Sequence, residues 1–67
     1  MRLHINGEER ELVAATLADV LRELGIDPAV PGVAVAQNGA VVPRARLQVA
    51  AVAEGDRIEV VRAVQGG

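Results

Sequence analysis

One stretch of this sequence repeats its apolar residues at helical spacing, and no other does so clearly. Leu17, Val20, Leu21 and Leu24 fall at i, i+3, i+4 and i+7, which draws one apolar stripe along a short helix. Thr16 opens it: its hydroxyl can accept from a backbone N–H of the first turn, and Asp19 suits the positive end of the helix dipole. Gly25 stands where a left-handed cap residue is wanted, and Pro28 prevents continuation. Ala18, Arg22 and Glu23 are expected to lie away from the stripe. A single striped helix cannot bury its apolar side alone, so the flanking segments must form the surface that covers it.

Those segments read as strands. Met1 to Asn6 alternates, with Leu3 and Ile5 on one face and Arg2, His4 and Asn6 on the other. Asn6-Gly7 is a hairpin signal because both residues tolerate positive φ. Glu9 to Val13 returns as a second strand carrying Leu12. After a Pro-bearing connector, Val33 to Gln37 is a third strand, Asn38-Gly39 its turn, and Ala40 to Val42 a fourth strand stopped by Pro43. Arg44 to Ala53 is ambiguous: Leu47, Val49 and Val52 suit an irregular segment or one helical turn. Glu54-Gly55-Asp56 is a further turn, and Arg57 to Val64 closes as a fifth strand. The order ββαββ, an irregular stretch, then β, predicts an α+β fold. The two terminal strands lie side by side in its centre, and the helix covers one face.

Composition narrows the function more than the fold. The 67 residues make one small domain at most, 1–67, with 65–67 expected as a flexible tail. Hydrophobic content is 51% with no Phe, Tyr or Trp, so the core is Val, Leu, Ile and Ala. There is no Cys, Ser or Lys, Thr16 carries the only side-chain hydroxyl, and His4 is the only imidazole. A Ser/His/Asp or Cys/His arrangement therefore lacks its nucleophile, and an autonomous enzyme is not expected. Thr16 reads as a cap, and His4, alternating with Leu3 and Ile5, as a solvent-facing strand residue. Glu8, Glu9 and Glu11 read as a solvated hairpin, since strand alternation denies a metal converging ligands. The net charge is −2 and the seven arginines are dispersed, without stacking aromatics, which argues against nucleic acid. Apolar runs are far too short for a membrane span, and the N-terminus shows no signal-peptide pattern. The cytoplasm is the default location.

Several runs together resemble the ThiS family, the small sulfur carriers of thiamine biosynthesis. These are Val33-Ala34-Val35-Ala36-Gln37-Asn38-Gly39, Val41-Val42-Pro43-Arg44, Glu54-Gly55-Asp56-Arg57-Ile58-Glu59-Val60 and the terminal Gly66-Gly67. The likeness covers essentially the whole chain. It departs at Leu47, where many relatives carry a large aromatic. The resemblance implies a β-grasp, ubiquitin-like fold and a cycle performed by partners. An adenylating enzyme of the ubiquitin-activating (ThiF) type would use ATP and Mg to convert the Gly67 carboxylate to an acyl-adenylate. A persulfide donor would then displace AMP to leave a thiocarboxylate, and a thiazole synthase of the ThiG type would receive the sulfur. No cofactor is expected on this chain itself. Two other roles share the fold and tail: the sulfur-carrying small subunit of molybdopterin synthase, and a ubiquitin-like protein modifier. A plain interaction module is a fourth role the fold permits.

The residue chemistry agrees with that division of labour. A terminal carboxylate, with a reference pKa of about 3.5, is ionised at neutral pH and resists nucleophilic attack. The chain has no Walker loop to activate it and no Cys to supply sulfur. Gly66 and Gly67, having no Cβ, can thread a narrow channel and keep the reacting carbonyl uncrowded. A terminal Gly-Gly alone carries little weight; it gains weight by following a closing strand. If the third and fifth strands are neighbours, Ala34, Ala36, Val61 and Ala63 form a flat apolar patch on the face away from the helix. Val64 and Gln65 extend it toward the terminus. That patch is expected to dock partners, with Arg62 at its rim.

Overall fold

A computed structural model describes residues 1–62. β1 (Arg2–Ile5) and β2 (Glu8–Glu11) form a hairpin, α1 (Leu17–Glu23) crosses over, and β3 (Val33–Gln37) and β4 (Ala40–Val42) form a second hairpin. A 3-10 turn at Arg44–Arg46 and an irregular stretch lead to β5 (Arg57–Arg62). The sheet order is β2-β1-β5-β3-β4, with β1 and β5 parallel in the centre and the other pairings antiparallel. This is the β-grasp arrangement: five strands with one helix packed on one face.

Both hairpins turn on Asn-Gly pairs held at positive φ, 51° and 85° for Asn6-Gly7 and 51° and 88° for Asn38-Gly39. Positive φ at both central residues matches the twist of the flanking strands. The two-residue turn pairs Ile5 with Glu8, and β1 runs out where Arg2 meets Glu11. The second strand is therefore Glu8–Glu11 rather than Glu9 to Val13. Leu12 is buried just beyond it, and Val13 projects into solvent.

The helix forms as its sequence dictates. Thr16 Oγ1 accepts from the Asp19 N–H, and the Asp19 carboxylate accepts in return from the Thr16 and Ala15 N–H groups, so orphan donors of the first turn are satisfied. Gly25 takes φ 79° just after the helix. Leu17, Val20 and Leu21 join Leu3, Ile5, Val35, Ile58 and Val60 in an aliphatic core. Ala18 corrects the expectation that it lies off the stripe, for it is fully buried. The segment after the 3-10 turn covers that flank of the helix. Leu17 and Ala18 donate their N–H groups to the carbonyls of Ala50 and Leu47. Of the three apolar residues left open there, Leu47 and Val52 enter the core and Val49 stays outside. Leu47, the departure from the family pattern, is thus a core position filled by an aliphatic side chain.

Candidate functional site

β5 occupies the middle of the sheet and is the element that continues covalently toward Gly66 and Gly67. Its alternation sorts its side chains by face. Ile58 and Val60 point into the core, while Arg57, Glu59 and Val61 lie on the face away from the helix.

On that open face the register fixes the neighbours. Val61 lies directly opposite Ala34, and Ala36 lies between Glu59 on one side and Val41 on the other. Ala34, Ala36, Val41, Val61 and Glu59 line a shallow apolar groove. Val61 is 63% exposed and Val41 77% exposed, which is costly for branched aliphatic side chains without a partner. The expected adjacency of Ala34, Ala36 and Val61 is therefore present. Ala63, Val64, Gln65, Gly66 and Gly67 lie outside the described residues. Arg62 pairs with Val33 and has the parity of Val60, so it belongs to the helix-side face and not to the rim of this groove. Val41 was missed in the sequence reading, although its alternation against the half-buried Val42 was the signal that could have found it.

The other half of the open face is charged. Arg2 pairs with Glu9 at 2.9 Å and reaches Glu11 at 4.0 Å, all exposed, so the acidic hairpin is a solvated ion-pair surface. His4 is half-buried beside Arg57, its partner in the β1–β5 ladder. The face thus runs from charged at β2 and β1 to apolar at β3 and β4, with β5 as the boundary. Among the described residues no three His, Asp or Glu side chains converge as metal ligands. Among them also, no helix is long and apolar enough to cross a membrane.

Two side-chain networks that strand patterns do not reveal hold β5. At its start, the Asp56 carboxylate accepts from Asn38 Nδ2, Gln37 Nε2 and the Ala53 N–H at 2.8–3.0 Å. These hydrogen bonds, that from Asn38 foremost, hold the Asp56 carboxyl below its ordinary range against a smaller opposing effect of burial. Asn38 Oδ1 also accepts from the Arg57 N–H at 2.9 Å. Further along, Asn6 Oδ1 accepts from the Val60 N–H at 2.8 Å and Asn6 Nδ2 donates to the Val60 carbonyl at 3.2 Å.

The comparisons with known proteins agree with this architecture. A family model, that of the ThiS family, matches residues 3–67. A thiazole synthase of Paramagnetospirillum magneticum (strain ATCC 700264 / AMB-1) is 43% identical over 68 residues. That match takes in all of this chain but spans 20% of the relative's length. Two solved structures of a thiamine biosynthesis protein from Geobacter metallireducens, a crystal structure described as ThiS and an NMR structure, have TM-scores of 0.80 and 0.81. They are 27% and 28% identical, and the likeness covers the whole of this chain and 100% and 88% of theirs.

Proposed function

This chain belongs to the ThiS family of sulfur carriers of thiamine biosynthesis, and from that premise we propose that its working group is the carboxylate of Gly67. The observation that carries the reading is the position of β5. It is central and clamped, it presents Val61 on an apolar open face, and it leads within a few residues to Gly66-Gly67.

In this account the folded body is a handle. A carboxylate is a poor electrophile, so a partner adenylating enzyme of the ThiF type, holding ATP and Mg, directs a carboxylate oxygen of Gly67 at the α-phosphorus. Pyrophosphate leaves and the mixed anhydride makes the carbonyl carbon attackable. The terminal sulfur of a persulfide donor then displaces AMP, and a thiol cleaves the resulting S–S bond to leave a thiocarboxylate. The chain, with no Cys of its own, is the co-substrate of this chemistry and not its catalyst. The ATP requirement suits a cytoplasmic site.

A thiazole synthase is the proposed recipient of the sulfur. The likeness to one-fifth of a protein named thiazole synthase supports that partner, because it puts a related segment in the same polypeptide as that protein's remaining length. The groove of Ala34, Ala36, Val41 and Val61 is the proposed docking surface, and Ala63, Val64 and Gln65, next in the sequence, are proposed as further partner-binding residues.

Deletion of Gly67 tests the reading. The truncated chain is expected to keep its thermal unfolding midpoint, since the described core is built from residues between Leu3 and Val60, and to give no thiocarboxylate with ATP, adenylating enzyme and persulfide donor. A truncated chain that still supports thiazole formation at the wild-type rate contradicts the proposal.

A further inference from the structure

Along its open face β5 carries three unlike side chains in a row, Arg57, Glu59 and Val61. Successive members stand two residues apart, about 6.6 Å along the strand. Glu59 stands at a junction. With Ala36, Val41 and Val61 it lines the apolar groove. With Arg57, His4 and the turn residues Gly7 and Gly39 it also lines a cleft of about 430 Å³.

Neither charge is matched among the described residues. Arg2 finds Glu9 on the neighbouring strand at 2.9 Å, and Arg22 finds Asp19 along the helix at 3.0 Å. Arg57 and Glu59 make no such pair, with each other or with any other described side chain. Their spacing explains it: two residues apart on one strand, the side chains rise side by side from the sheet rather than converge. The adjoining strands supply no counter-charge. Arg57 lies beside His4 of β1, and Glu59 beside Ala36 of β3.

In the free protein water solvates both groups. A partner seated on the groove displaces that water from Glu59, because Glu59 is part of the groove's wall. A carboxylate stripped of water without a counter-charge is strongly unfavourable, so such a partner must bring a cation to Glu59. Arg57, one step toward the cleft, needs the opposite, a carboxylate, and the His4 ring has an N–H to offer the same group.

We propose that Arg57, Glu59 and Val61 form an ordered recognition strip. It is read by a face of the adenylating enzyme that presents an acidic, a basic and an apolar side chain in the matching order. The strip rests on the docking role proposed above for the groove, and it adds direction. An apolar groove alone accepts an apolar ridge laid either way along β5. A fixed charge order penalises a partner that is reversed or displaced by one step, because like charges are then brought together.

The deciding variant exchanges the two charges, Arg57→Glu with Glu59→Arg. It keeps the net charge at −2, leaves Val61 and the alanines of the groove in place, and alters only exposed positions of β5. Calorimetric affinity for the adenylating enzyme is measured for wild type, each single reversal and the exchange, with thermal unfolding as the control of fold. Each reversal is expected to weaken binding about tenfold or more, and the exchange, which opposes both partner charges, at least as much as either. Wild-type affinity in the exchanged chain overturns the strip, since net charge or a mutual Arg57–Glu59 pair would then account for the single reversals. If the exchanged chain does not fold, Arg57→Gln and Glu59→Gln decide: each is expected to weaken binding several-fold, and wild-type affinity in both overturns the strip. An exchanged chain that binds as wild type while Val61→Asp still weakens binding overturns the strip alone. A wild-type chain that does not bind the adenylating enzyme overturns the docking role and the strip with it.

Discussion

At the scale of single residues, Val61 bears most directly on partner binding. It is a branched apolar side chain, 63% exposed, on the strand that leads to the terminus, and Ala34 opposite it is too small to cover it. Ala36 and Val41 continue the same smooth surface, and an apolar partner side chain laid there would be desolvated on both sides. Val61→Asp replaces that contact with a charge a docked partner must strip of water. Because the position is exposed in the free protein, folding is expected to survive. Calorimetric affinity for the adenylating enzyme is expected to fall by about 1–3 kcal/mol, roughly 5- to 150-fold. Unchanged affinity removes this groove as the docking surface.

At the scale of elements, the strands, the helix and its caps were legible because each obeys a local rule. Alternation marks β1, β3 and β5, Asn-Gly marks the hairpins, and Thr16 with Asp19 marks the helix start. What could not be read was set by contacts distant in sequence. Ala18 is buried by the carbonyl-bearing segment at Leu47 and Ala50, some thirty residues away, and no helical pattern contains that information. The same holds for the Asp56 network, which joins the β3–β4 turn, the loop at Ala53 and the root of β5.

That network gives β5 a pH dependence. The Asp56 pKa is lowered in the folded state, so its contribution to stability is complete above the ordinary carboxylate pKa of about 3.9 and is lost as pH falls through the lowered value. Asp19 is lowered in the same direction, chiefly by the Ala15 and Thr16 N–H groups, so the wild type weakens in acid at the start of the helix as well as at the root of β5. Asp56→Asn, which cannot accept from all three donors, is expected to cost about 1 kcal/mol near neutral pH. Between pH 7 and pH 2, thermal unfolding should show a gap from wild type that holds to about pH 4 and narrows below it. A gap constant across that range would mean the carboxylate charge is not what the network uses.

At the scale of the whole molecule, the fold solves a problem of presentation. An aliphatic core with no aromatic anchor is kept on one side of the sheet, under a helix of seven residues. The other side is graded from charged to apolar, and the strand between the two halves, β5, is the described element nearest in sequence to Gly66-Gly67. Among the described residues, the groove was legible as Ala34, Ala36 and Val61. Asn6 was legible only as a turn residue, because its second role depends on a contact 54 positions along the chain.

The mass of the carboxyl-terminal peptide tests the central claim most directly, after the full-length protein has been incubated with ATP, the adenylating enzyme and a persulfide donor. The account predicts a peptide ending at Gly67 in which one carboxyl oxygen has been exchanged for sulfur. A peptide that retains both oxygens while ATP is consumed, or one that runs on beyond Gly67 in the reacting protein, contradicts it.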